Sequence, residues 1–319
     1  MNNTKDLTTK ELVIIGGGPA GLTAAIYAGR AKRDTLVFLG QPTEGQLRLA
    51  IDVDDFPGFP QGITGTDLLN KMLEQIKKFQ VESKEENVRQ VDFHQYPFKI
   101  IGEKGEELRA RSVIVATGAR HRWLGLPREQ ELIGHGVSVC AICDGFFFRD
   151  KEVAVVGGGD SALEDALYLT KYASKIYIIH RRDSFRAAKI LQDEVLRNRK
   201  IEVIWDTEVV QLIGDKQLQG VIIHNKRTNE KMELKIEGLF LAIGFQPATD
   251  IFQGQLELDD KGYIKVIDYV KTSQEGVFAA GDVCDPRYRQ AITAAGLGAM
   301  AAIEADRWLK AKDNKNKSK

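Results

Sequence analysis

The sequence is poor in cysteine, carries no charge excess of either sign and contains no long apolar run, and each shortage removes a class of protein. Three cysteines in 319 residues do not make a disulfide framework, and in a reducing compartment a close pair is more often catalytic or metal-binding than structural. Lys plus Arg number 45 and Asp plus Glu number 45, so no net field holds a nucleic-acid backbone or an anionic membrane surface. No apolar stretch reaches the roughly 18–20 residues that cross a bilayer, and the polar start MNNTKDLTTK lacks the apolar core of a secretory leader. These shortages predict a soluble, cytoplasmic protein with neither nucleic acid nor membrane as a partner. The length accommodates roughly two domains with substantial cores.

What the chain does hold is one device used twice. ELVIIGGGPAGLTAAIYAGRA begins as a buried strand, turns through glycines and continues as an Ala-rich helix, and KEVAVVGGGDSALEDALYLTKYA repeats the plan. Each has G-x-G-x-x-G/A spacing: Gly16, Gly18 and Gly21, then Gly157, Gly159 and Ala162. The first position allows the tight turn, the second lets backbone approach a pyrophosphate at the helix N-terminus, and the third must be small so that helix packs on strand. One such turn is a weak signal; two, each between strand and helix, are strong. SVIVATGA (112–119), which supplies Gly118, and GVFAAGDV (276–283) add two short strands that end in Gly turns. Together the four segments predict an α/β fold with a flavin dinucleotide in one domain and a nicotinamide dinucleotide in another, the second site including Asp160 and Ser161.

Charge then separates the two sites. An NAD site offers an acid to the ribose hydroxyls roughly 20 residues past the glycines. Here the strand Lys175–Ile179 leads into His180, Arg181 and Arg182, with Arg186 one turn on. Arginines at that point clamp a 2′-phosphate through bidentate contacts, so the expected cofactor is NADPH; the plain alternative is a solvated basic face.

Cys140 and Cys143 stand two residues apart in VSVCAICDG. A zinc site needs four ligands, a lone C-x-x-C supplies two, and Cys284 belongs to the far end of the chain, so no metal is expected. A structural disulfide closing so short a loop restrains the unfolded chain little. A redox pair needs two adjacent thiols and a source of electrons, and Asp144 is placed to give or take the proton of thiolate chemistry or to act as an N-cap.

The motifs GGGPAGLTAAIYAGRA, DDFPGFPQGITG, VIVATGA, GVSVCAICDGFFFRDKEVAVVGGGDSALEDALYL, HRRDSFRAAKIL, AIGFQPATDIF, GVFAAGDV and YRQAITAAGLGAMAAIEADRWL occur in this order over nearly the whole chain. In them the sequence resembles the low-molecular-weight, bacterial-type thioredoxin reductases. The resemblance implies two Rossmann-like three-layer domains. An FAD domain is split between 1–121 and 248–319, with a disordered basic tail from about 311, and an NADPH domain carrying the cysteine pair is inserted at 122–247 and rotates as a rigid body. It also implies a homodimer, and electron flow from NADPH through FAD and the Cys140–Cys143 disulfide to thioredoxin or a thioredoxin-like protein. Reduction then enters at Cys143, and Cys140 attacks the partner.

Carried over by residue, the resemblance places Gly16, Gly18, Pro19, Ala20 and Gly21 at the FAD pyrophosphate and Gln46 and Asp55 over the flavin. Asp282 belongs to the same site, and Arg289, Gln290 and Ala291 lie near its ring. Phe146, Phe147 and Arg149 match positions that contact thioredoxin; the alternative for the aromatics is a place in the core. The chain departs from the family at EGQLRLAIDVDDFPG, where Arg48, Leu49, Ala50 and Ile51 replace hydroxyl residues and Asp55 replaces Asn. It departs again at GDSA, at IGFQPAT and at Cys284. Such changes tune the flavin, or mark another disulfide acceptor, a thiol oxidase or a redox sensor.

Overall fold

A computed structural model describes residues 8–41 and 45–317; Glu44 of the altered EGQLRLAI stretch lies outside them. The chain divides into two compact units, Met1–Arg120 with Gln246–Lys319, and His121–Phe245. The elements run β1 (Thr9–Ile15), α1 (Pro19–Arg30), β2 (Thr35–Phe38), α2 (Gly65–Lys78), β3 (Glu82–Lys84), β4 (Val88–Asp92), β5 (Phe98–Gly102), β6 (Glu107–Val115) and β7 (Ala119–His121). There follow β8 (Val137–Ser138), α3 (Ala141–Asp144), β9 (Glu152–Val156), α4 (Asp160–Leu169), β10 (Lys175–Ile179), α5 (Lys189–Arg197) and β11 (Ile201–Ile204). The chain closes with β12 (Thr207–Ile213), β13 (Gly220–Asn225), β14 (Lys231–Leu234), β15 (Gly238–Leu241), β16 (Phe245–Pro247), β17 (Val277–Ala279) and α6 (Ala291–Lys317).

The first unit is built on a sheet of order β3-β2-β1-β6-β5-β4, with β17 also paired to β6. β1, β2, β3, β6 and β17 run parallel, and β4 and β5 are antiparallel additions. Side chains alternate across a strand, and β1 shows it: Leu12 and Ile14 join one core with α1, α2 and α6, while Val13 and Ile15 join another with Phe93, Phe98 and Phe252. The alanine bias of α1 and α6 has a packing reason. Ala20, Ala24, Ala25 and Ala28 share a core with Ala294, Ala301, Ala302 and Ala305, and small residues let two helix backbones approach closely.

In the second unit β11-β10-β9-β15-β8 form an all-parallel sheet. Val153, Val155, Ile176 and Ile178 pack with Leu163, Ala166 and Leu169 of α4, and Ala154, Val156, Leu239 and Leu241 pack with Val209, Val221 and Ile223 of the antiparallel sheet β12-β13-β14. Burial on both faces explains why these strands read as unbroken apolar runs. β7 and β16 pair as a two-stranded ribbon where the chain passes between the units.

One expectation is corrected. The tail beyond about 311 is helical, since α6 continues to Lys317. Lys312 lies 5.2 Å from the ring centre of Trp308 and Asp313 pairs with Arg111, so the basic end has aromatic and ionic partners that hold it in register.

Candidate active site

In the first unit β1 delivers the chain into Gly16, whose φ of 126° is open to glycine alone, and an added Cβ would strike the Ala116 carbonyl. A Cβ at Gly21 would strike the Gly16 carbonyl, so the third position must be bare. Gly18 caps α1 in extended conformation with no side-chain cap, and a Cβ there would meet nothing within 4 Å. The first turn of α1, whose N–H groups have no partner inside the helix, is therefore approachable across Gly18.

Distant segments gather around this turn. A Cβ on Gly281 would lie 2.9 Å from the Ala20 side chain, so Asp282 stands beside α1; α6 begins close by, its Gly298 set against the Ala20 carbonyl. Burial pushes the Asp282 carboxyl up to about 6, with Asp285 adding to the rise and Arg289 opposing it. Gln46, in a 3-10 turn (Gln46–Leu49), donates from Nε2 to Ala119 O at 2.9 Å, next to Gly118, and its Oε1 is buried with no protein partner. That orphaned acceptor, with open backbone at Gly18 and Gly118, fits a dinucleotide bearing a polar ring. Asp55 is exposed, and no hydrogen bond among the described residues ties it to this group. Burial pushes the Cys284 thiol up to about 12 and its Sγ is directed at Gly281 O, 3.3 Å away, which makes it an inert packing residue.

The second turn repeats the first. Gly157, at φ 156°, leaves no room for a Cβ between Ala242 O and the Ala162 methyl, and Gly159 caps α4 in extended conformation, with nothing within 4 Å of an added Cβ. Ser161 is exposed on the first turn. The His180 ring fills the space beneath Gly158, and burial lowers its pKa, with Arg186 and Arg182 opposing the charged form further. Arg181, Arg182 and Arg186 are exposed, and none of the three pairs with a carboxylate among the described residues. Three unpaired guanidinium groups beside a helix N-terminus fit an anionic ligand with charge beyond its pyrophosphate.

Cys140 and Cys143 are disulfide-bonded, with Cα atoms 5.3 Å apart. Cys140 is half-buried at the end of the chain leaving β8 and caps α3, its Sγ accepting the Cys143 N–H at 3.2 Å; Cys143 is exposed. Sequence reasoning missed Ser138. Its buried hydroxyl donates to Asp144 Oδ2 at 2.6 Å and accepts the Cys140 N–H at 3.1 Å, so one side chain fixes both the acid and the sulfur-bearing backbone. The only available signal was a serine two residues before a cysteine. Phe148 packs in the core, whereas Ile142, Phe146 and Phe147 are 61%, 59% and 46% exposed. Arg149 lies over the Phe146 ring at 5.3 Å.

A disulfide beside a fixed carboxylate, in a chain with two dinucleotide cradles, is the equipment of one enzyme family. The family profile of pyridine nucleotide-disulphide oxidoreductases matches residues 10–298. The chain belongs to that family. It is 50% identical to a thioredoxin reductase of Rickettsia conorii over 95% of this chain and 99% of the relative. Against one of Mycolicibacterium smegmatis the identity is 48%, over 96% and 98%. Among solved structures, a thioredoxin reductase from Giardia duodenalis matches with a TM-score of 0.90 at 42% identity, covering 95% of this chain and 99% of that one. The enzyme from Streptococcus pyogenes matches with a TM-score of 0.90 at 38% identity, covering 96% and 100%. Among the described residues no cluster of side chains could hold a metal ion, and no helix is long and apolar enough to cross a membrane.

Proposed function

We propose that the chain is an NADPH-dependent flavoprotein disulfide reductase whose acceptor is thioredoxin or a thioredoxin-like protein. The observation that carries this reading is the Cys140–Cys143 disulfide, with its Ser138–Asp144 hydrogen bond, placed in the same unit as the unpaired arginines. Gly16, Gly18, Pro19, Ala20, Gly21, Gln46, Gly118, Asp282, Arg289, Gln290 and Ala291 are assigned to FAD. Gly157, Gly159, Ser161, Arg181, Arg182 and Arg186 are assigned to NADPH. A flavin held by the first set would supply to a disulfide the two electrons of a hydride drawn from NADPH held by the second.

The chain's own residues account for the rest. The S–S bond opens at Cys143, the exposed sulfur, and Cys140 leaves as a thiolate held by the Cys143 N–H; a stabilised thiolate is the better leaving group. That thiolate attacks one sulfur of the partner disulfide, the other partner sulfur departs, and Cys143 then displaces the partner and restores the Cys140–Cys143 bond. Asp144 delivers and collects the protons, so that NADPH, one proton and a disulfide become NADP⁺ and a dithiol. Ile142, Phe146 and Phe147 form an exposed apolar surface beside the pair, which favours a protein acceptor over a small disulfide. Tyr27, Ile292, Met300 and Ile303 leave exposed apolar area on α1 and α6 and support a homodimer; the compartment assigned is the cytoplasm.

The test is NADPH oxidation by purified, FAD-loaded protein with thioredoxin as acceptor. Rapid turnover is expected. Fast oxidation with oxygen or a low-molecular-weight disulfide and none with thioredoxin would reassign the acceptor.

A further inference from the structure

The loop bearing the three arginines is fastened to the second glycine turn at several points. The His180 ring packs beneath Gly158, and its Nε2 lies 3.1 Å from Ser184 O. The Arg186 N–H donates to Gly158 O at 2.8 Å. Phe185 is buried, its ring 5.7 Å from that of His180 and 4.4 Å from that of Trp205. The last fastening comes from the opposite side, where the Ala188 N–H donates to Asp160 Oδ1 at 2.7 Å.

Asp160 is the first residue of α4, and Ala188 is the N-cap of α5. An alanine has no side chain with which to cap α5, and α5 has no side-chain cap of its own. Asp160 thus ties two helix N-termini together through one carboxylate, at a place where both helix dipoles favour negative charge. A carboxylate aimed at a bound pyrophosphate would repel it; engaged by a backbone N–H, it is directed to the loop instead.

We propose that Asp160 is a positioning residue for the 2′-phosphate: it holds the 181–188 loop against the glycine turn so that Arg181, Arg182 and Arg186 converge on one anion, and it does not itself touch the dinucleotide. The inference rests on the NADPH reading of the second unit. It explains how three exposed arginines without carboxylate partners discriminate between ligands: selectivity comes from the fixed spacing of their backbone, and the Asp160 carboxylate ties the far end of the loop to the turn.

The experiment is calorimetric titration of the full-length holoprotein with 2′,5′-ADP and, separately, 5′-AMP, for the unmodified chain, Asp160→Ala and Asp160→Asn. The Ala variant is expected to bind 2′,5′-ADP about tenfold more weakly, the scale of one hydrogen bond to a charged group, while 5′-AMP affinity changes little. The Asn variant keeps an acceptor oxygen and restores most of the loss. Faster amide exchange at Ala188 in the Ala variant, with the rest of α5 protected, ties the effect to the loop. Undiminished 2′,5′-ADP binding by Asp160→Ala overturns the inference, as does an equal loss for both nucleotides, which would place Asp160 at the adenosine 5′-phosphate that the two share. If the unmodified chain binds 2′,5′-ADP no more tightly than 5′-AMP, the NADPH reading itself fails, an outcome separate from either.

Discussion

The two units share a glycine turn and differ in how the space beyond it is closed. In the second unit closure is local: the turn, the strand Lys175–Ile179 and the arginine loop lie within residues 157–188, and hydrogen bonds from Arg186 and Ala188 lock the loop onto the turn. In the first unit it is remote: Asp282, next to Gly281, reaches Ala20 after β17, the segment after β6 lies against Gly16 and Gly21, and Gln46 joins that segment through Ala119 O. The locally closed turn is faced by three exposed arginines without carboxylate partners among the described residues. The remotely closed one carries an orphaned amide oxygen and a carboxyl whose pKa burial raises to about 6. On the proposed assignment, the common cradle sets what kind of ligand is held, and the closing segments set which member of that kind.

The cysteine pair gives the sharpest separation of the units, because it lies in the second and is assigned only the last step. Cys143→Ser and Cys140→Ser should each lower thioredoxin turnover by about 10⁴-fold or more, the scale on which members of a catalytic unit fail, yet in both variants NADPH should still bleach the flavin in a single anaerobic turnover. Cys140→Ser alone should show a long-wavelength charge-transfer band, from a Cys143 thiolate beside the oxidised flavin. Cys143→Ser should trap a mixed disulfide with a thioredoxin lacking its own resolving cysteine. Substantial turnover by Cys143→Ser would end the relay assignment.

Filling the two cradles one at a time breaks the comparison in the other direction. Gly18→Leu should purify nearly colourless, since the side chain enters the open space at the first turn. Gly159→Leu should stay yellow while its apparent KM for NADPH rises by about a hundredfold, equivalent to about 2.7 kcal/mol of lost binding. Loss of flavin from both variants would show that the second turn also holds it. Arg181→Ala with Arg182→Ala should raise the NADPH KM by about a hundredfold or more, at about 1.5–3 kcal/mol per charge-assisted contact, and leave NADH use nearly unchanged.

Local closure is also why the second site was legible in the sequence and much of the first was not. The glycine spacings, the strand ahead of His180 and the basic run after it all lie within reach of one motif, and the parallel sheets followed from apolar runs such as EVAVV. Phe146 and Phe147 could be read either as core or as surface, because only the packing of Phe148 against Phe240 decides which of three adjacent aromatics turns inward. Ser138 escaped notice because a serine hydroxyl has many possible local partners. The end of α6 reads as a charged tail in the sequence since two of its partners, Arg111 and Tyr96, are contributed by tertiary structure.

The smallest effect concerns Asp282 and tests the first unit's way of closing. Burial raises this carboxyl from its ordinary 3.8 to about 6, so between those values the folded, flavin-free chain holds a proton that the unfolded chain releases. A raised acid favours folding at low pH and disfavours it once ionised. The contribution therefore declines as pH climbs from about 4 and is fully lost above about 6, by about 2–3 kcal/mol at 1.36 kcal/mol per pH unit. Asp282→Asn stays neutral throughout. Its flavin-free form should melt higher than the unmodified apoprotein at pH 7.5 and by a clearly smaller margin at pH 4.5, as followed by circular dichroism. Adding FAD should reverse the order at pH 7.5, because a cofactor hydroxyl that donates to the carboxylate gains more from a charged acceptor than from an amide. A melting difference that is the same at both pH values would mean that Asp282 is not the buried acid of this site, and the first unit would then close around its ligand through Gln46 and Arg289 alone.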